Sequence, residues 1–203
     1  KAIVGVWFEE EYKRKYPYST LASSVIGFTG SDNNGTFGLE EYYNSTLNGM
    51  NGREYGYLTE DSTLERTTIA AEDGHTIVTS IDVNIQNVVE KYIKQFNDAH
   101  KGEFREGEDG STNTGVVVMD PNTGNVLAMA DYPNFDLNNP KDLTPFYSEE
   151  EIEAMTDEQM YECLNKIWRN YCISDTYEPG SVSKAMTIAT GLDTGKITGN
   201  ESY

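Results

Sequence analysis

Cysteine is nearly absent from this chain, with Cys163 and Cys172 the only two in 203 residues. That excludes a disulfide-framework fold, and His75 and His100 stand too far from them and from each other to complete a metal-ligand pattern. If both cysteines share one helix, nine positions separate them by about 13.5 Å, beyond disulfide reach. Both are read as packing residues. Long apolar runs are missing too. No stretch approaches the roughly 18 residues of a membrane-spanning helix, and no signal peptide is visible. Positive charge is scarce, with 15 Lys and Arg against 34 Asp and Glu for a net charge of −19. This argues against nucleic acid and anionic membrane surfaces as partners. What is present, 37% hydrophobic and 11% aromatic residues, suffices for a packed core.

Periodicity predicts a mixed α+β chain. A strand is expected over 1–12, carrying Ile3, Val4, Val6 and Phe8. A polar turn follows at 31–35. Its Asp32-Asn33-Asn34-Gly35 hints at a calcium loop but puts Phe37 and Tyr43 where such a loop needs Gly and Glu, so a turn is the reading. Leu39, Tyr42, Tyr43 and Leu47 predict one short amphipathic helix stopped by Gly49. Three strands are expected over 53–59, 64–70 and 75–81, with Asp73-Gly74 as the hairpin turn between the last two. From about residue 82, Ile85, Val88, Val89, Tyr92, Ile93 and Phe96 form a helical core stripe ending at Gly102. Two near-continuous apolar strands, 115–119 and 125–130, bracket Pro121-Asn122-Thr123-Gly124 as a hairpin, with both faces expected to be covered. Ser148 with Glu151 and Thr156 with Gln159 read as capping boxes, the second opening a helix that carries Met160, Leu164, Ile167, Trp168 and Tyr171 on one side.

The stretch with the most chemistry is Tyr177-Glu178-Pro179-Gly180-Ser181-Val182-Ser183-Lys184. Pro179 suits the first turn of a helix and Gly195 its stop. On that helix Ser181 and Lys184, three apart, lie side by side. A serine hydroxyl needs a base to become a nucleophile. Lysine can serve only when neutral, a state that roughly one lysine in 2,500 reaches at pH 7 with an ordinary pKa, so burial and positive potential are required. The helix N-terminus adds free N–H groups that can hold a developing oxyanion. The bare spacing recurs by chance at this composition; its flanks, with Arg169-Asn170 and Ser174-Asp175 upstream, carry more.

Tyr-Glu-Pro-Gly-Ser-x-x-Lys in this setting resembles the active-site segment of the class B penicillin-binding proteins, the monofunctional D,D-transpeptidases of peptidoglycan synthesis. Arg14-x-Tyr16-Pro17, then Leu21-Ala22-x-x-Val25-x-Gly27-Phe28, then Gly38-Leu39-Glu40 with Leu47-x-Gly49, resembles the family's N-terminal, non-catalytic domain of pedestal or dimerisation type. The stretch from Asp73-Gly74 through Asp82 and Gln86, the 115–130 hairpin and Tyr132-Pro133-x-Phe135-Asp136-x-Asn138 resemble the start of its transpeptidase domain, of the penicillin-binding and serine β-lactamase type. The boundary is placed near residue 74, giving 1–74 and 75–203.

The resemblance implies Ser181 as nucleophile, Lys184 as general base, and structural roles for Arg14, Tyr16, Pro17, Gly38 and Glu40. It implies peptidoglycan stem peptides as substrates, β-lactams as ligands, other cell-wall synthesis proteins as partners, no cofactor, and a place on the outer face of the cell membrane behind an N-terminal anchor helix that this sequence does not contain. It departs from the family in one respect. The family's second and third motifs, Ser-x-Asn and Lys-[Thr/Ser]-Gly, should follow Ser181. Ser31-Asp32-Asn33 and Ser111-Thr112-Asn113 precede it and are rejected, and Lys196-Ile197-Thr198-Gly199 is interrupted by Ile197. The chain, starting at Lys1 and ending about 20 residues beyond Ser181, is expected to be an internal fragment without turnover of its own. The alternatives are a β-lactam sensor or serine β-lactamase relative, or a non-catalytic scaffold for division or elongation partners.

Overall fold

Proline and glycine set the first turns. A computed structural model describes residues 12–58 and 64–201; the strand expected over 1–12 lies almost wholly outside them. Pro17 sits in a turn closed by the Ser19 N–H donating to the Tyr16 carbonyl at 3.2 Å, the position where its fixed φ is favoured. Helix α1 (Ser23–Ile26), the two-residue strands β1 (Phe28–Thr29) and β2 (Gly35–Thr36), and helix α2 (Gly38–Tyr42) follow. The Ser31–Asn34 turn joins β1 to β2, tightened by the Asp32 carboxylate accepting from the Asn34 amide at 2.6 Å. Gly38 has φ +59°, and a Cβ there would lie 2.5 Å from the Val25 carbonyl oxygen. Any side chain would therefore push α2 off α1.

The single helix expected over 39–47 is two helices, α2 and α3 (Asn44–Leu47), broken at Tyr43, with Tyr42 78% exposed. Strands β3 (Arg53–Leu58) and β4 (Leu64–Ile69) pair antiparallel, Arg53 with Ile69 through Leu58 with Leu64. The third expected strand does not form. Residues 75–79 carry no ladder; the His75 N–H goes to the Thr46 carbonyl at 2.8 Å, and Asp73-Gly74 is no hairpin turn. His75 to Ile81 is an extended connection that forms no ladder among the described residues; only at its end do the Ser80 hydroxyl and the Asp82 N–H reach β6, donating to the carbonyls of Val126 and Leu127 at 2.7 and 2.8 Å.

Helix α4 (Val83–Ala99) starts at Asp82, whose carboxylate accepts from the N–H groups of Asn84 and Ile85 at 2.8 and 3.1 Å. Its buried face departs from the apolar stripe. Gln86, Ile93 and Asn97 are buried, whereas Val88, Tyr92 and Phe96 are largely exposed. The reason is hydrogen bonding. Strands β5 (Thr114–Met119) and β6 (Val126–Tyr132) form an antiparallel hairpin. Gln86 serves both backbone groups of Met129, accepting from its N–H and donating to its carbonyl, each at 2.9 Å. Buried backbone groups left unserved are costly, so an amide outranks an aliphatic side chain there. Asn97 likewise accepts from the Ser111 N–H and hydroxyl at 2.7 Å. The expectation that both faces of the hairpin are covered fails for β5, where Val117 and Met119 are exposed.

Helices α5 (Glu149–Ala154) and α6 (Asp157–Trp168) each open with a complete capping box, Ser148 with Glu151 and Thr156 with Gln159. Helix α6 buries Leu164, Ile167 and Trp168 against Phe28, Phe135, Leu137 and Leu143. Residues 12–48 and 135–168 thus share one core. Helix α7 (Tyr171–Ser174) follows a break, so the two cysteines stand on separate helices and the single-helix premise for their spacing does not hold; both are free thiols. By its contacts the chain divides into two units, residues 1–173 and 174–203. In the second, helix α8 (Val182–Asp193) ends in a Schellman closure. The Gly195 N–H donates to Leu192 at 3.0 Å and the Lys196 N–H to Gly191 at 2.9 Å, with Gly195 at φ +66°.

Candidate active site

Ser181 directly precedes α8, at φ −63° and ψ −17°, and Pro179 lies outside the helix, before its first turn. A serine at this position commonly spends its hydroxyl on a helix N–H. Ser181 makes no such cap; its Oγ instead accepts from Lys184 Nζ at 3.3 Å. The backbone supports this pairing, because the Lys184 N–H donates to the Ser181 carbonyl at 3.2 Å, closing the turn between them. Thr187, Thr190 and Thr194 turn their hydroxyls back onto the carbonyls of Ser183, Met186 and Thr190 at 3.1, 2.9 and 2.7 Å, so the polar residues downstream stay on their own helix. The second unit thus holds a hydroxyl free of structural duty, an amine in contact with it, and a helix N-terminus beside both. That set can form an acyl ester once the amine is neutral and a carbonyl is bound. Both side chains are exposed.

The other singled-out residues lie in the first unit, where Arg14, Tyr16 and Glu40 meet, while Pro17 stays in its turn and Gly38 lies against Val25 and Gly27. Arg14 Nε donates to Glu40 Oε1 at 2.7 Å, and the Tyr16 hydroxyl reaches the same oxygen at 3.3 Å while accepting from the Thr29 N–H at 3.0 Å. Glu40 is nearly buried, at 5% side-chain exposure. Burial and then the Glu40 charge push the Tyr16 phenol up. Asn138 holds the backbone of Tyr16 at both ends, accepting from its N–H at 3.0 Å and donating to its carbonyl at 2.8 Å. Arg14→Ala removes the cation from a buried carboxylate. Breaking a buried pair costs about 3–5 kcal/mol, and the half-exposed arginine brings this to about 2 kcal/mol. Thermal melting is expected to show a loss of about 4–8 °C, largely restored when Glu40→Gln is added. An unchanged melting temperature would remove Arg14 from the fold's supports.

Sequence reasoning passed over Asp131 and Glu90. Asp131 accepts from the Ser24 hydroxyl at 2.8 Å and the Tyr171 N–H at 3.0 Å, and Glu90 from the Ala22 N–H at 2.7 Å. The available signal was an acidic residue inside the apolar run of β6. The rejected motif Ser111-Thr112-Asn113 sits in a loop where Ser111 is bonded to Asn97.

Comparison with known proteins adds the following. The sequence profile of the penicillin-binding protein dimerisation domain matches residues 1–79, and that of the penicillin-binding protein transpeptidase domain matches residues 114–203. Peptidoglycan D,D-transpeptidase FtsI of Escherichia coli K12 is 32% identical over 202 residues, which cover 97% of this chain and 29% of FtsI. Stage V sporulation protein D of Bacillus subtilis is 30% identical over 199 residues, covering 95% of this chain and 26% of that protein. The chain therefore spans less than a third of these relatives. Penicillin-binding protein 3 of Mycobacterium tuberculosis, solved in complex with aztreonam, superposes with a TM-score of 0.63 at 26% identity, covering 94% of this chain and 34% of that one.

Proposed function

Because this chain belongs to the class B penicillin-binding proteins, we propose that its Ser181 is the acylated serine of a peptidoglycan D,D-transpeptidase. Ser181 Oγ attacks the carbonyl between the two terminal D-alanines of a stem peptide, and Lys184 takes its proton. Collapse of the tetrahedral adduct expels D-alanine, whose amine receives the proton, and leaves an ester on Ser181. An amine of a neighbouring stem peptide attacks that ester, releases Ser181 and forms the cross-link. A β-lactam ring presents an equivalent carbonyl, and its opening leaves the same kind of ester. The N–H groups at the start of α8 hold part of the oxyanion charge.

The observation that carries this reading is the 3.3 Å contact of Lys184 Nζ with a Ser181 hydroxyl that caps nothing. Arg14, Tyr16, Pro17, Gly38 and Glu40 are assigned structural roles in the N-terminal portion, with the domain boundary near residue 74. The whole protein is assigned to the outer face of the cell membrane, anchored by a helix; among the described residues no helix is long and apolar enough to cross a membrane. Other cell-wall synthesis proteins are its expected partners.

The test is to incubate the full-length ectodomain with benzylpenicillin, digest it with trypsin and locate the adduct by mass spectrometry. A long-lived adduct on the peptide spanning residues 170–184 is expected. A folded protein that forms none would instead be a non-catalytic scaffold, and an adduct that clears within seconds would mark a hydrolase.

A further inference from the structure

Lys13, Arg14 and Lys15 gather three of the chain's 15 Lys and Arg residues into consecutive positions, in a protein of net charge −19. All three line a cleft of about 710 Å³, a size ordinary for a ligand site. The 29–33 turn supplies a second wall, and Leu137, Asn138 and Pro140 a third. Hydrogen bonds tie these walls together. Asn33, held at φ +59°, donates from its side-chain amide to the Tyr12 carbonyl at 2.9 Å. Asn138 grips the Tyr16 backbone at both ends, at 3.0 and 2.8 Å, and the Tyr16 hydroxyl accepts from the Thr29 N–H at 3.0 Å. The cleft is therefore shaped before any ligand enters it, which lowers the ordering cost of binding.

Among the described residues no Asp or Glu lines the cleft, although the chain has 34 of them. The described acids on and beside its walls are occupied. Asp32 accepts from the N–H and the side-chain amide of Asn34 at 3.1 and 2.6 Å, and Asp136 from the Asn138 N–H at 2.8 Å. Glu40 holds Arg14. Lys13 and Lys15 remain, exposed and, among the described residues, paired with no carboxylate. At physiological salt a charge is screened within about 8 Å, so the negative balance of the whole chain does not cancel two lysines lining one cleft.

We propose that this cleft binds a phosphate group, held by the side chains of Lys13 and Lys15. The cations select phosphate over carboxylate. Arginine's planar fork is the group that matches a carboxylate in two-point contact, and the one guanidinium lining the cleft is already spent on Glu40 at 2.7 Å. Lysines are point charges on flexible stems, suited to a tetrahedral group whose oxygens point in several directions. The phosphate belongs either to a soluble compound or to a lipid headgroup, and the test separates the two. None of this depends on the reading of Ser181.

The full-length ectodomain is titrated in a calorimeter with inorganic phosphate and with succinate, two anions of similar charge, at about 0.15 M salt. It is also sedimented with phosphatidylglycerol vesicles, with phosphatidylcholine vesicles as the control. The parent is compared with the double variant Lys13→Gln, Lys15→Gln and with Lys94→Gln, which removes a cation from α4, outside the cleft. All three lysines are exposed, so unchanged melting temperatures are expected. Saturable phosphate binding is expected in the parent and in Lys94→Gln, weaker by about tenfold to a hundredfold in the double variant, the usual effect of losing charge-assisted hydrogen bonds. Binding to phosphatidylglycerol vesicles alone, lost in the double variant, would uphold the site and make the phosphate a lipid's. Binding of neither probe, or binding that survives the double variant, would overturn the proposal. So would succinate binding as tightly as phosphate, the mark of a cleft that takes any anion.

Discussion

Full-length protein carrying Ser181→Ala is expected to form no covalent penicillin adduct, and Lys184→Met to form one about 10²–10⁴ times more slowly than the parent. The two effects differ because the residues do different things. Without Oγ there is no atom to carry the ester, so the loss is complete at any time or concentration. Without Lys184 the hydroxyl remains at the start of α8, with the helix N–H groups still in place, but its proton must pass to water. Methionine keeps the length and apolar stem of lysine and cannot accept a proton, so the variant isolates the base. Stopped-flow acylation with a chromogenic cephalosporin reads the rate. A Lys184→Met rate within tenfold of the parent would mean that some other group takes the proton, and that the 3.3 Å contact only orients the hydroxyl.

Trp168→Ala is expected to cost about 3–5 kcal/mol, the usual toll of deleting a large buried aromatic side chain, and with it folding at elevated temperature. Trp168 is 4% exposed at the end of α6. Its ring stands 5.0 Å from that of Phe28 and 5.2 Å from that of Phe37, and its Nε1 donates to the Pro140 carbonyl at 2.7 Å. Alanine opens a cavity between the N-terminal stretch and α6 and leaves that carbonyl without its partner. Phenylalanine fills most of the volume and loses only the hydrogen bond, so Trp168→Phe should lie well above Trp168→Ala in urea denaturation. Equal stabilities for the two variants would show that the hydrogen bond, and not the packing, holds this junction.

The local signals were strong where one short stretch decides its own structure. Both capping boxes, the 115–130 hairpin, the stop at Gly195 and the Ser181–Lys184 spacing follow from side chains within a few residues of one another, because caps, turns and helical neighbours are local physics. The α+β class and the family resemblance were legible for the same reason, being carried by contiguous motifs. Helix α4 shows the limit. Its apolar stripe predicted burial of Val88, Tyr92 and Phe96, yet Gln86 and Asn97 hold the buried face, since no periodicity records that the Met129 backbone needs a partner.

The extended segment at 75–79 fails as a strand in the same way: its residues suit a sheet, but among the described residues it pairs with no strand, and a ladder requires two chains. Composition and spacing therefore limit what each stretch can become and single out Ser181 and Lys184 as the candidates for chemistry. Which carboxylate meets which distant group is another matter. Arg14 with Glu40, Glu90 with Ala22, and Asp131 with Ser24 and Tyr171 are pairs 26, 68, 107 and 40 positions apart. They exist because folding closes those loops and removes water from the groups, and neither event leaves a mark in the order of the residues.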